Sequence, residues 1–446
     1  MWRAMNNPIS QTFYRSERNS LREVVPPFPF SSTTTLVLFG EIFQRGYANG
    51  LIENAEKQGL RIMGSTVGRR EKDQSLRSLT PEELQSFPFP VINVPLEAGF
   101  DWTPSRSGPT PTDQLKDIKL SDWSSAKLNW EQIHESREKG REDFRRRVKS
   151  YVSELTQALP LQGDLVFAHL MAGGVPRAKI VMPLMNRVFK GVGERHLPSK
   201  DFWDSEIGQL CALSFEDVTA WTFQVLMEET QPLREQRQAQ GFRVGYTAYG
   251  YHGTEIFSKQ KYTWQSYSPY LQGWAKMALE NYAIQAHKHK ISACVFNCPE
   301  ILTNSSSIFQ GVEVPLYALV DAFRNEKGEN AAQELIQKCL DKLLPQTSWS
   351  QISKLIEDFY QDPTVQSTMS FETWPTHTKP AQLEKLLSNS QKIFDLHKDQ
   401  KDLVTTLLSE KVFDACGYFM LNTALTPPSP VAWINHDVIA KFAGRV

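Results

Sequence analysis

The chain has 446 residues, with 49 basic and 50 acidic side chains and a net charge of −1. That balance offers no bulk positive field to nucleic acid, and with no run of about 18 apolar residues no membrane span is expected. A composition 40% apolar and 22% charged is that of a globular protein, large enough for one big α/β domain with additions or for two domains. The five cysteines (Cys211, Cys294, Cys298, Cys339 and Cys416) are scattered and form no C-x-x-C pair. Arg3, Arg15, Arg18 and Arg22 interrupt an N-terminus that carries no apolar segment. Both features point to a reduced, metal-free, cytoplasmic chain. His287 and His289 sit at a lysine-rich helix end and do not read as a metal site.

Residues 1–35 read as an irregular arm, in which Pro26, Pro27 and Pro29 alternate with Phe28 and Phe30. Residues 36–70 carry the central pattern. Leu36 to Phe39 is a short apolar strand, followed by a turn containing Gly40, Gly46 and Gly50. Leu51, Ile52 and Ala55 recur at helical spacing, Gly59 ends the helix, and Leu60 to Met63 is a second strand. Strand, glycine turn, helix and strand make the βαβ unit of a dinucleotide-binding fold. Its glycines allow a sharp turn, close backbone approach to a pyrophosphate, and tight packing of the helix. The cofactor-loop candidates are therefore Gly40, Gly46, Tyr47, Ala48 and Gly50. Arg69 and Arg70 follow the second strand, where a nucleotide fold meets the adenosine ribose. Arginine there favours a 2′-phosphate, so NADPH is the first reading and NADH the alternative.

Residues 71–125 read as a third strand, Val91 to Val94, with an insertion. Asp101 comes next and is counted among the cofactor-binding candidates; a loop, SGPTPTD at 107–113, follows it. A helix then buries Phe144, Val148, Tyr151, Val152 and Leu155 on one face, and the Arg145, Arg146, Arg147 cluster reads as its solvated surface. Asp164 to His169 is a fourth strand, and the loop LMAGGVPR at 170–177 lies at a strand end, where open parallel sheets bind ligands. His169 and Met171 are accordingly expected near the nicotinamide. Residues 204–238 read as helical, and Phe242 to Tyr246 as a fifth strand leading into TAYGYHG at 247–253.

The chemistry concentrates in the next stretch, YSPYLQGWAKMALENYA at 267–283. Tyr267 and Tyr270 precede Lys276, which opens a helix. A lysine beside a phenol favours the phenolate and any developing oxyanion near it, and the same ammonium can hold a nicotinamide ribose. Tyr267-x8-Lys276 resembles the Y-x8-K signature of divergent enoyl-acyl-carrier-protein reductases and trans-2-enoyl-CoA reductases of the FabV/FabMG type, members of the short-chain dehydrogenase/reductase superfamily. Tyr267 is thus the first choice for the catalytic phenol and Tyr270 the reserve. DLVFAHLMAGGVPR, VEVPLY at 312–317 and NEKG at 325–328 are similar to segments of the same family, in the same order. Tyr249-Gly250 looks like its second active-site tyrosine. Cys294 to Pro299 with Thr303 resembles the strand and loop that lie along the nicotinamide carboxamide, and Pro299 stops the strand. The resemblance covers roughly residues 36–376, patchily.

The resemblance implies a Rossmann-like, doubly wound α/β fold with helical C-terminal additions. The expected organisation is an arm at 1–35, a reductase domain at 36–330 and a helical extension at 331–446. The implied function is NAD(P)H-dependent reduction of the trans-2 double bond of an enoyl thioester, carried on acyl-carrier protein or coenzyme A, in fatty acid synthesis. Ordinary carbonyl reduction of a 3-ketoacyl group, and a nucleotide-binding scaffold without catalysis, are the alternatives. Beyond about residue 377 the residues suggest capping, dimerisation or buttressing without choosing among them, and nothing in the sequence sets an oligomeric state.

Overall fold

The computed structural model describes residues 19–443, except 43–45, 107, 259–260, 266–270, 302, 304–310 and 312–313. Tyr267 and Tyr270 lie outside the described residues. Eight strands form one sheet: β1 (Ser20–Leu21), β2 (Thr35–Phe39), β3 (Arg61–Thr66), β4 (Val91–Pro95), β5 (Leu165–His169), β6 (Val244–Gly250), β7 (Ser292–Asn297) and β8 (Val431–Ile434). Their order is β1-β8-β7-β6-β5-β2-β3-β4, and every pairing is parallel. Such a sheet needs cover on both faces, so its strands are nearly continuously apolar. TLVLF and LVFAH are buried along their whole length.

Alternation sends each strand's residues to opposite faces. Leu36, Leu38, Val166, Ala168 and Phe296 share a core with Leu51 of the Tyr47–Lys57 helix and Phe419 of the Val404–Thr423 helix. Val37, Phe39, Phe167 and Tyr246 share the opposite core with Tyr151 of the Trp130–Ala158 helix and Leu279 of the Gly273–Lys288 helix. The order turns between β2 and β5, whose last residues, Phe39 and His169, pair directly. This is the switch point at which a doubly wound sheet leaves a crevice.

The C-terminal residues add more than helices. Val431–Ile434 lies inside the sheet, between β7 and β1, and the Val404–Thr423 helix packs on the Tyr47–Lys57 helix. The contact is closest at two glycines. A Cβ on Gly50 would lie 1.9 Å from the Phe413 carbonyl oxygen, and one on Gly417 would lie 2.1 Å from the Gly50 carbonyl carbon. Asn54 Nδ2 donates to the Asp414 carbonyl, 3.1 Å, and binds the two helices further. The arm crosses the same helix. The Tyr418 hydroxyl donates to the Val25 carbonyl, 2.8 Å, and Phe28 N–H donates to Asn422 Oδ1, 2.7 Å.

Two features depart from the sequence reading. An antiparallel hairpin, Thr254–Ser258 with Lys261–Gln265, follows β6. It is tied to the chain ends: Arg22 pairs with Glu255 and Asp437, and Asn435 Nδ2 donates to Glu255, 3.1 Å. The arginine cluster on the Trp130–Ala158 helix is not uniformly solvated. Arg145 pairs with Glu228 and Glu229, Arg147 donates to the Glu97 carbonyl, and only Arg146 is exposed.

Candidate active site

The glycine turn begins where β2 ends. Gly40 has φ 126°, a conformation other residues rarely adopt. A Cβ there would stand 3.1 Å from the Leu170 backbone, so the turn closes directly over the end of β5. Ser65 of β3 fixes it, since Gly40 N–H donates to Ser65 Oγ at 2.8 Å. Gly46 occupies the N-cap of the Tyr47–Lys57 helix and brings no side chain to it. The first-turn N–H groups and the positive end of the helix dipole are therefore left without a side-chain cap, an arrangement suited to an anion. Ala48 lies in this first turn. Gly50 lies deeper, and its lack of a side chain serves the packing on Phe413.

A cavity of about 240 Å³ opens at the switch point, lined among others by Glu41, Val67, Glu97, Asp101, Leu170 and Met171. It spans the carboxyl ends of β2, β3, β4 and β5, and Asp101 and Met171 both line it. Asp101 is buried, accepts from Arg177 N–H at 3.0 Å, and has its pKa raised by that burial. His169 behaves otherwise. Its side chain lies in the opposite core, stacked on Phe39 and edge-on to Phe223, with Nε2 2.8 Å from Thr222 Oγ1. Burial pushes its pKa down to about 3, so the imidazole is neutral and only its backbone lies at the strand end.

Arg69 and Arg70 are both held by carboxylates. Arg69 pairs with Glu41, 2.7 Å, and Arg70 with Glu97, 2.5 Å. Glu97 also takes Arg177. Neither glutamate stood out in the sequence, because nothing local marks an acid whose partner is about 27 residues away.

Lys276 lies in the first turn of the Gly273–Lys288 helix and is buried. Its ammonium donates to the Tyr249 carbonyl at 2.6 Å. Burial is the largest influence on it and lowers its pKa to about 8, against the opposing pull of Cys298 and Glu280. The Tyr249 ring stacks on Tyr47, centroids 5.0 Å apart, and the Tyr47 hydroxyl donates to the Pro299 carbonyl. The Tyr249 hydroxyl is buried with no hydrogen-bond partner among the described residues, and burial drives its pKa upward. Lys276, Tyr249, Tyr47 and Pro299 thus form one connected group at the ends of β6 and β7. Thr303 follows that group along the chain.

A supporting set went unnoticed in the sequence. Glu280, one helical turn beyond Lys276, accepts from Asn297 Nδ2 at 2.8 Å, and Asn297 Oδ1 accepts from His252 N–H at 2.6 Å. The His252 ring is clamped between Phe371, 4.6 Å, and Trp374, 4.2 Å. The four-residue spacing of Lys276 and Glu280 was the only sequence signal for this set.

A nicotinamide dinucleotide fits these surroundings: a crevice at the switch point, a turn of bare backbone, an uncapped helix end, a buried ammonium, and a buried phenol without a hydrogen-bond partner among the described residues. A family model described as "Enoyl-acyl carrier protein reductase FabMG" matches residues 17–443. The chain belongs to the FabMG family of enoyl-acyl-carrier-protein reductases.

It is similar to an apo FabMG crystal structure, at 41% identity over 95% of this chain and 98% of that one, with a TM-score of 0.92. An NADH-bound FabMG structure matches at 37% identity over the same shares, with a TM-score of 0.73. No curated protein sequence matches. The FabMG match takes in the arm and the C-terminal strand, beyond the 36–376 covered by the resemblance in motifs. A FabMG reductase is an NAD(P)H-dependent oxidoreductase of fatty acid synthesis, and its fold is the Rossmann-like parallel sheet described above. Among the described residues no helix is long and apolar enough to cross a membrane.

Proposed function

We propose that this chain saturates the trans-2 double bond of an enoyl group on acyl-carrier protein, in the cytoplasm, with NADH as reductant. The observation that carries the reading is the buried Lys276 ammonium on the Tyr249 carbonyl at the end of β6, in a sheet whose switch point opens a crevice fit for a dinucleotide. NADH is favoured over NADPH because Arg69 and Arg70 already have carboxylate partners and because a FabMG relative was solved with NADH.

When bound, NADH would supply the hydride taken up at the β carbon, and the enolate so formed takes a proton at the α carbon from tyrosine or water. The chain's own groups do the rest. The turn at Gly40, Gly46, Tyr47 and Ala48 binds the pyrophosphate through backbone N–H groups. Asp101 and Met171 wall the crevice, and Pro299 and Thr303 present backbone to the carboxamide. Lys276 binds the nicotinamide ribose and holds positive charge where the enolate forms. Tyr267, with Tyr270 in reserve, donates a hydrogen bond to the thioester carbonyl, and Tyr249 is the second phenol of the site. One donor aimed at such an oxyanion is worth roughly 3–4 kcal/mol in the barrier.

The test is consumption of NADH with a panel of trans-2-enoyl and 3-ketoacyl thioesters on carrier protein and on coenzyme A. Turnover is expected with enoyl groups and fastest on carrier protein. Turnover of the ketones alone would reject the assignment.

A further inference from the structure

In a nucleotide fold, the residues just after the second strand decide whether the ribose carries a free 2′-hydroxyl or a phosphate. Here the residues after β3 are arginines, which by themselves select the phosphate. The structure answers them from another element. Glu41, the residue after Gly40, faces Arg69 with both carboxylate oxygens: Oε2 accepts from Nη1 at 2.9 Å and Oε1 lies 2.7 Å from Nη2. The same Oε2 accepts from Thr66 Oγ1 and from Val67 N–H, each at 3.2 Å. The carboxylate is therefore pinned to the end of β3 and is only 12% exposed. It also lines the cavity, together with Val67. The arginine pKa is raised, first by its hydrogen bond to Glu41, as a firm ion pair requires. Arg70 offers no substitute, since Glu97 holds it.

We propose that Glu41 is the residue that selects NADH over NADPH in this chain. It accepts a hydrogen bond from a free 2′-hydroxyl, repels a 2′-phosphate, and keeps the Arg69 fork from binding one. The acid that an NADH enzyme needs has moved from the end of the second strand to the turn after the first. This proposal rests on the NADH reading above.

The test uses the full-length chain without substrate, titrating NADH and NADPH by quenching of tryptophan fluorescence. Wild type should bind NADH at least about tenfold more tightly. Glu41→Gln keeps the shape and an acceptor for Val67 N–H but loses the charge. It should gain about tenfold or more in NADPH affinity while NADH affinity falls only about threefold. Adding Arg69→Ala should cut that gain to the part that comes from relieved repulsion alone. The proposal is overturned if Glu41→Gln keeps the wild-type ratio, or if Arg69→Ala leaves its gain undiminished. Equal wild-type affinity for both nucleotides overturns the role of Glu41 alone. A wild type that binds neither overturns the reductase reading beneath it.

Discussion

At the scale of single residues, the site turns on a lysine that burial has made easy to discharge. Lys276 has a pKa of about 8, below that of a solvated lysine, because its desolvation outweighs the help of Cys298 and Glu280. The sign of the pH effect follows. Below about 8 the ammonium is present and can hold the ribose and the forming enolate. Above it the amine is neutral and that attraction is lost. The KM for NADH should therefore climb, and kcat/KM should fall about tenfold per pH unit, as pH rises beyond 8. Lys276→Arg, whose guanidinium stays charged, should be slower but lack this alkaline limb; an unchanged limb in that variant would assign the titration to another group. His169 will not confuse the profile, since its imidazole is neutral throughout. The sequence singled out Lys276 because tyrosine–lysine spacing at a helix start is a local signal, and the lysine does lie in a helix's first turn. The expectation of His169 near the nicotinamide missed its core-facing side chain, because whether a strand-end side chain faces the crevice or the core depends on β-sheet register, which one strand alone does not reveal.

At the scale of elements, the glycine-bearing helix is positioned by a partner more than 350 residues away. Gly50 reads naturally as part of a phosphate loop, yet it is set by the Val404–Thr423 helix, whose Phe413 and Gly417 leave no room for a methyl group. Gly417→Ala should accordingly cost about 1–3 kcal/mol of stability by overpacking, measured as a shift in the urea midpoint at constant slope. Because the three nearest atoms it meets are all backbone, the Tyr47–Lys57 helix has to shift, and NADH affinity should weaken with it. A fully stable Gly417→Ala variant would show that the two helices are not locked together. The strands of the nucleotide unit were legible to within a few residues because each carries a short apolar run. The hairpin at 254–265 was not, since it alternates weakly and interrupts the stretch between β6 and the lysine helix.

At the scale of the whole molecule, the sheet joins segments from both ends of the described chain. β8 comes from residues 431–434 and yet sits between β7 and β1, so the region read as a helical extension contributes to the sheet itself. Four apolar residues behind PPSP carry too little periodicity to mark a strand, and only pairing with β7 gives them that form. What this architecture brings into one sheet is a glycine turn with its helix end from residues 40–50 and a lysine from the helix at 273–288. The proposed course of the hydride is to the β carbon of the double bond rather than to a carbonyl carbon. It is tested most directly by supplying NADH deuterated at the transferring position of nicotinamide C4 with a trans-2-enoyl carrier-protein thioester and locating the label by mass spectrometry and NMR. The account predicts one deuterium on the β carbon of a saturated acyl product. Label on a carbinol carbon of a reduced ketone, or no transfer to any thioester, would contradict it.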